Sequence, residues 1–354
     1  MKKILILAND VTTILQFRTE LVKALVVGGN EVTVCVPEND SIPEIENLGA
    51  KVIKTEVSRH GKNPFQDLKL INNYKKIIKQ VEPNVVFTFT IKPNVYGGMA
   101  ASALKVPYVA NVTGLGVVGD GGLLQKLMLW LYKRGLKKAK CVFFQNSANK
   151  QFFEERKIVS GKTELLPGSG VNLEKFSSIP YPENGVTNIT FVGRVIKDKG
   201  VYELADAARH YLDNDSVTFT VVGDVEFGAE NPFVNLKNVN CVGFHKDVRP
   251  FIKNAHAVIL PSYHEGMANV LLEGASSSRP ILASNIPGCK ESFTEGVTGF
   301  GFEIKNALSV IEAIDKFLAL PYEDKKLMGE RARLKMEKEF NRQIIIDKYF
   351  EMID

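Results

Sequence analysis

Short apolar runs alternate with longer stretches of helical spacing along this chain, and the alternation starts afresh near residue 186. Residues 3–8, 31–37, 85–90, 106–112 and 141–145 read as strands, and 17–28 and 68–81 have helical periodicity. A second series places strands at 188–192, 217–222, 239–242, 257–260 and 280–283, with helical stretches such as 201–212 and 269–277 between them. Strands that are apolar throughout, separated by helices, belong to parallel sheets covered on both faces. The fold class read from this pattern is α/β, with two doubly wound, Rossmann-like domains. The 354 residues, 45% of them hydrophobic and 24% charged, suffice for two such cores and exclude bulk disorder.

Proline, glycine and serine concentrate between the series, from Leu166-Pro167-Gly168-Ser169-Gly170 to Pro180-Tyr181-Pro182-Glu183-Asn184-Gly185. The expected division is a first domain over 1–167, a linker over 168–185 and a second domain over 186–334. Open parallel sheets bind ligands at the carboxyl ends of their strands, so two such domains face to face would hold a site in the cleft between them.

Charge is unevenly spread. Residues 1–170 carry 24 Lys/Arg and 14 Asp/Glu, whereas 171–354 carry 21 and 26. A basic amino-terminal half points to an anionic partner. Cys35, Cys141, Cys241 and Cys289 are far apart and have no metal-ligand spacing, the pattern of a reducing compartment. Met1-Lys2-Lys3 leads straight into Ile4-Leu5-Ile6-Leu7, too short for a signal core or a membrane span, so a cytoplasmic location is expected.

The chemistry-bearing residues cluster in the second series. Gly193-Arg194 ends a strand, and Lys199-Gly200 precedes a helix. Glu265 and Glu273 stand eight residues apart in Glu265-Gly266-Met267-Ala268-Asn269-Val270-Leu271-Leu272-Glu273. Gly266 places the first acid in a loop and the second on the helix that follows. Two carboxylates can hold sugar hydroxyls, while helix-start amides and two cations hold a diphosphate. That combination fits a nucleotide sugar.

Gly193-Arg194…Lys199-Gly200, Pro261-Ser262-Tyr263-His264-Glu265-Gly266-Met267 and Leu271-Leu272-Glu273 resemble the family 4 retaining glycosyltransferases of the GT-B fold. Pro287-Gly288, Glu291 and Gly296-Val297-Thr298-Gly299 continue the resemblance in order. It implies that Arg194 and Lys199 bind the donor diphosphate and that Glu265 contacts the transferred sugar. Gly193 and the amides of Gly266, Met267, Ala268 and Asn269 would approach the donor, Glu273 would hold the ribose, and Phe244 would mark the nucleobase end. The resemblance also implies a carboxyl-terminal helix, about 335–354, crossing back to the first domain.

Thr90-Ile91-Lys92-Pro93-Asn94-Val95-Tyr96-Gly97 and Asn111-Val112-Thr113-Gly114-Leu115-Gly116 are similar to bacterial transferases that extend sugars on undecaprenyl diphosphate. This implies transfer of a sugar, several relatives using an N-acetylhexosamine, from UDP to a polyprenyl-diphosphate-linked acceptor in capsule, O-antigen or protein-glycan assembly. Lys92, Thr113, Gly114 and Gly116 are the acceptor-side candidates, with Asp10 and Arg18. Two departures stand on that side. Asn9-Asp10-Val11-Thr12-Thr13 replaces the family's Gly-Gly loop, and Thr113-Gly114 stands where many members have histidine.

Gly114-Leu115-Gly116-Val117-Val118-Gly119 spells GxGxxG but comes late in its domain, and position 139, where an acid would follow, is alanine. A glycine turn is the better reading, and no cofactor is expected. The stretch 123–140 joins Leu127-Met128-Leu129-Trp130-Leu131-Tyr132 to Lys133, Arg134, Lys137, Lys138 and Lys140, as an interfacial helix on an anionic membrane would. Peripheral attachment to the inner face of the membrane is therefore expected, and no nucleic-acid motif is present. The five histidines make no metal-ligand pair, so the reaction is read as metal-independent, with Arg194 and Lys199 in the metal's electrostatic role. The rivals are a UDP-sugar epimerase and a non-catalytic nucleotide-binding scaffold protein.

Overall fold

A computed structural model describes residues 1–55, 64–114, 122–226, 228 and 230–353. The chain forms two units, Met1–Ser169 with Gln343–Asp354, and Gly170–Arg342.

The first unit is built on a seven-stranded sheet. Its strands are β1 (Lys3–Leu7), β2 (Glu31–Val36), β3 (Lys51–Lys54), β4 (Val85–Phe89), β5 (Tyr108–Val112), β6 (Cys141–Phe144) and β7 (Lys162–Leu165). They run in the order β3-β2-β1-β4-β5-β6-β7, every pair parallel. Successive residues of each central strand enter opposite layers. Ile4 and Ile6 pack with α1 (Val11–Phe17), α2 (Thr19–Val27) and α3 (Ile42–Glu46). Leu5 and Leu7 pack with α4 (Pro64–Val81), α5 (Gly98–Leu104), α6 (Leu123–Leu136) and α7 (Ser147–Glu155). Two covered faces explain why the central strands read as unbroken apolar runs. The edge strands, Lys-Val-Ile-Lys and Lys-Thr-Glu-Leu, are only half covered, and they escaped the sequence reading.

Helix α6 is clamped in place by glycines. A β-carbon on Gly98 would fall 2.2 Å from the Gly135 carbonyl oxygen, and one on Gly135 would fall 2.6 Å from Val95 Cα. Tyr108 Oη donates to that same carbonyl at 2.7 Å.

The second unit holds six parallel strands, β8 (Thr187–Val192), β9 (Val217–Val222), β10 (Val239–Gly243), β11 (Ala257–Leu260), β12 (Ile281–Ser284) and β13 (Gly299–Phe302), in the order β10-β9-β8-β11-β12-β13. Around them lie α8 (Val201–His210), α9 (Arg249–Lys253), α10 (Asn269–Ser276), α11 (Ala307–Leu318) and α12 (Tyr322–Glu339). The chain winds outward from β8 through β9 and β10, then returns through β11 to the other side. The order therefore reverses between β8 and β11, where open sheets present ligand sites.

Two boundaries differ from the sequence reading. Most of the expected linker is part of the second unit: Phe176 enters its core, and the carbonyls of Ile179 and Pro180 accept from the buried Arg279 guanidinium at 3.2 and 2.9 Å. The return to the first unit also begins later than residue 335. Met336 and Phe340 belong to the second core, whereas Ile345, Ile346 and Tyr349 of α13 (Arg342–Phe350) enter the first. Tyr349 packs edge-on against Phe87 and Phe143, ring centres 5.0 and 5.1 Å away, and accepts a hydrogen bond from Asn111 at 2.8 Å. The helix expected over 17–28 is present as α2, and Arg18, at φ −134°, separates it from α1, which the sequence reading did not include.

Candidate active site

The loop after β8 is shaped by backbone contacts that only glycine permits. At Gly223, φ is +145° and a β-carbon would lie 1.9 Å from the Gly193 carbonyl oxygen. Gly193 N–H donates to the Val222 carbonyl at 2.9 Å, so Arg194 emerges directly at the carboxyl end of β8. Farther along, Gly200 has φ +68°, and its β-carbon would stand 2.0 Å from the Pro261 carbonyl oxygen at the end of β11. Tyr263 N–H donates to the Asp198 carbonyl at 2.9 Å. These contacts press the loops after β8 and β11 together.

Their consequence is the pairing of Lys199 with Glu265. The Lys199 ammonium lies 2.5 Å from Glu265 Oε1, with side chains 23% and 13% exposed. Ser262, fully buried, donates to the same oxygen at 2.7 Å. Among the described residues, Glu265 Oε2 has no hydrogen-bond partner and can accept from a ligand hydroxyl. On the far side of this loop, Tyr263 Oη donates to both carboxylate oxygens of Glu203, at 2.7 and 2.9 Å. Ser262, Tyr263 and Glu203 had no role in the sequence reading, although the first two stand inside the motif that carried the resemblance.

Arg194 is exposed, and its guanidinium lies 3.5 Å from Glu226 on the loop after β9. A pair so open to solvent is weak, and a diphosphate can displace Glu226. Phe244 follows β10, is 67% exposed, and donates its N–H to Asp224 at 2.9 Å. A bare aromatic ring at a strand end offers a stacking surface to a nucleobase.

Helix α10 begins at the sheet's carboxyl edge. One assignment there needs correction: Ala268 N–H is committed to the Gly288 carbonyl at 2.8 Å and does not face a ligand. The cause is the Pro287-Gly288 turn. Gly288, at φ +87°, approaches so closely that a β-carbon would sit 2.6 Å from the Glu265 carbonyl oxygen. Glu291 secures the turn by accepting from Gly288 N–H at 2.7 Å. Met267 is buried in the core of the second unit, so its side chain is given to packing. Asn269 opens the helix with a side-chain oxygen that is buried and, among the described residues, unpaired.

Glu273 is half-buried on α10, and among the described residues no group donates to its carboxyl. Burial pushes its pKa from 4.5 up to about 7, and the charges of Lys175 and Arg342 only partly oppose this. A raised carboxyl pKa lowers the protein's stability as pH climbs from about 4.5 to about 7, because ionisation costs more in the folded state. A ligand diol donating to the carboxylate offsets that cost. UDP affinity is therefore expected to rise across this interval in the wild type relative to Glu273→Gln, while Glu273→Ala weakens UDP binding throughout. Calorimetric titrations across the range give the comparison; parallel pH curves for wild type and Glu273→Gln would remove the ribose contact.

The first unit presents a different picture. Asp10, Lys92 and Thr113 follow the carboxyl ends of β1, β4 and β5, which are neighbours in the sheet. Asp10 caps α1 by accepting from Thr13 N–H at 2.7 Å. Lys92, Thr113 and Gly114 are half-buried, whereas Gly116 and most of the GxGxxG sequence lie outside the described residues. Arg18 does not reach that edge as an acceptor contact. It is 2% exposed, donates to Ser169 Oγ at 2.5 Å and to the Phe17 carbonyl at 2.8 Å, and lies over the Phe89 ring at 4.7 Å. Thr90, with φ +72°, bears backbone strain at this edge, an uncommon state for a β-branched residue.

Among the described residues, no three His, Cys, Asp or Glu side chains are grouped to hold a metal ion. The chain does contain one Asp-x-Asp sequence, Asp213-Asn214-Asp215. It lies in the turn before β9, at the sheet edge opposite Arg194, where Asp213 pairs with Lys237 at 3.4 Å.

Two family models match the chain, "Glycosyl transferases group 1" over residues 186–319 and "Glycosyl transferase 4-like" over residues 3–146. The chain belongs to the family 4 glycosyltransferases of the GT-B fold. Among this glycosyltransferase's curated relatives is the N,N'-diacetylbacillosaminyl-diphospho-undecaprenol alpha-1,3-N-acetylgalactosaminyltransferase of Campylobacter jejuni, 29% identical over 98% of this chain and 97% of the relative. The UDP-Gal:alpha-D-GlcNAc-diphosphoundecaprenol alpha-1,3-galactosyltransferase of Escherichia coli is 27% identical over 82% and 81%. In fold the glycosyltransferase is similar to a solved glycosyltransferase of Rickettsia africae, with TM-score 0.83, 21% identity and coverage of 99% and 97%. It is also similar to HepE of Anabaena solved in complex with UDP-glucose, with TM-score 0.79, 18% identity and coverage of 100% and 99%.

Proposed function

We propose that this glycosyltransferase moves a sugar, an N-acetylhexosamine, from UDP to a polyprenyl-diphosphate-linked acceptor, with retention of anomeric configuration. The step belongs to the assembly of a capsule, O-antigen or related glycan at the inner face of the cytoplasmic membrane. The observation that carries the reading is the half-buried Lys199–Glu265 pair between the β8 and β11 loops. It sets a cation for a leaving diphosphate beside a carboxylate for sugar hydroxyls. The acceptor class is supported by the names of the Campylobacter and Escherichia relatives, both of which act on diphospho-undecaprenol-linked sugars.

In the reaction the acceptor hydroxyl oxygen bonds to the anomeric carbon while the bond from that carbon to the diphosphate oxygen breaks. The hydroxyl proton passes to the departing diphosphate. Arg194 and Lys199 hold the charge that develops there, Lys199 turning part of its field from Glu265 to the phosphate. Glu265 Oε1 is held by Lys199 and Ser262, and its open Oε2 takes a hydroxyl of the transferred sugar rather than the anomeric carbon. A covalent glycosyl-enzyme trapped during turnover would overturn this mechanism.

UDP release from a panel of UDP-sugars, with and without a membrane extract containing polyprenyl-linked acceptors, tests the assignment. One donor is expected to support release only with the lipid fraction, and to do so equally in EDTA, since Arg194 and Lys199 supply the positive charge. Loss of turnover in EDTA would remove the metal-independent reading. Sugar conversion without any acceptor would point to an epimerase, and UDP binding without turnover to a scaffold.

A further inference from the structure

The two charges of the donor site come from loops that the sheet itself does not fix. The last registered pair of β8 and β11 is Phe191 with Ile259, and both Lys199 and Glu265 lie well beyond it. Their 2.5 Å contact therefore depends on what joins the loops after the strands end. The close approach of Gly200 to Pro261 and the Tyr263 N–H bond to Asp198 join them along the backbone. The Tyr263 side chain adds a third tie.

Tyr263 is 6% exposed, and its phenol shares one proton between the two carboxylate oxygens of Glu203, at 2.7 and 2.9 Å. Glu203 stands in the first turn of α8, one helical turn beyond Lys199. An anion there is favoured by the helix's first amides, and a charged acceptor makes a strong bond to a phenol. Burial first, and then the bond to Glu203, push the phenol pKa up, so the proton that makes the contact stays in place. The Lys305 ammonium, in the turn between β13 and α11, lies over the Tyr263 ring, 5.2 Å from its centre. One side chain thus fastens the β11 loop both to α8, which carries Lys199 at its entrance, and to the β13–α11 turn. The apolar core of the second unit takes in Leu260 and Met267 but not Tyr263, so the ring serves the loop rather than the interior.

We propose that Tyr263 and Glu203 are positioning residues for transfer: their contact sets the spacing of Lys199 and Glu265, and with it the distance between the leaving diphosphate and the sugar hydroxyls. They act through that pair and not on the donor. A misplacement of about 1 Å can cost about 100-fold in rate, so the loss of one oxygen at this remove is enough to register. The effect on turnover rests on the transferase reading, whereas the mechanical coupling of the two contacts does not.

Tyr263→Phe removes only the phenol oxygen and keeps the ring beneath Lys305. In the full chain kcat is expected to fall about 10- to 100-fold, while donor KM, UDP affinity by calorimetry and far-ultraviolet circular dichroism match the wild type. Glu203→Ala should fall to the same level and the double variant no further, because either change alone already breaks the one contact. Glu203→Gln keeps an acceptor for the phenol and should recover most of what Glu203→Ala loses, which a general packing defect would not allow. Wild-type kcat in Tyr263→Phe would overturn the proposal, as would single losses that multiply in the double variant. Should no UDP-sugar support turnover in the wild type, the transferase reading fails and the coupling is still measured. Urea midpoints of wild type, Tyr263→Phe, Lys199→Met and the Tyr263→Phe/Lys199→Met pair form a cycle. Lys199→Met is expected to cost less stability in the Tyr263→Phe background than in the wild type; equal costs would show that the two contacts are independent and end the positioning role.

Discussion

Lys199→Ala is expected to lower turnover by about 100-fold or more, the usual loss when a pre-placed charge-stabilising group is removed. The effect should fall on kcat more than on the KM for the donor, because diphosphate charge grows as the glycosidic bond breaks. The same substitution strips Glu265 of its cation, leaving a carboxylate 13% exposed with only Ser262 as donor. Glu265→Gln in the Lys199→Ala background separates the contributions. If the damage comes from the stranded carboxylate, the double variant recovers; if Lys199 acts on the diphosphate, it does not. Near-normal kcat in Lys199→Ala would remove Lys199 from the reaction altogether.

Arg279→Met should cost about 3–5 kcal/mol of stability, the scale seen when one side of a buried charged network is deleted. Arg279 is fully buried, and its guanidinium donates to six carbonyls, those of Ile179, Pro180, Ile252, Lys253, Ser277 and Ser278, at 2.8–3.2 Å. Burial lowers its pKa only to about 10, so the cation persists at neutral pH. Methionine fills similar space but leaves all six acceptors dry. Lysine, with three donors on a point charge, rescues only part of the loss. Urea denaturation monitored by far-ultraviolet circular dichroism gives the comparison; a midpoint unchanged in Arg279→Met would show that water takes over those carbonyls without cost. Since Arg279 follows α10 at the end remote from Glu265, folded Arg279→Met protein should still bind UDP.

That the donor-side candidates fall near one sheet edge was legible because it follows from local positions. Arg194 and Glu265 stand in loops that follow strands, Lys199 just before a helix and Glu273 midway along α10, and parallel topology gathers such loops and helix starts at one edge. What stayed hidden depends on partners remote in sequence. Nothing near Arg18 announces Ser169 and the Phe89 ring, which bury it, nor does Ala268 reveal that Gly288 takes its N–H. Glu226 became visible as the partner of Arg194 only when β9 was laid beside β8. Strands β3, β7 and β13 were missed for a related reason. Edge strands carry half a core, and Gly299-Phe300-Gly301-Phe302 has a turn-like composition although its glycines are required there. A β-carbon on Gly299 would lie 1.9 Å from the Ile281 carbonyl oxygen.

The late return of the chain to its first unit sets an order of events during synthesis. Ile345, Ile346, Tyr349, Met352 and Ile353 complete a core whose other members lie before residue 167. The ribosome makes the entire second unit before it supplies them. Until then Phe87 and Phe143 lack the ring that packs edge-on against both, and Asn111 lacks its phenol acceptor. The nascent first unit must wait with an unfinished apolar face while the later unit folds, a window in which a chaperone has something to hold.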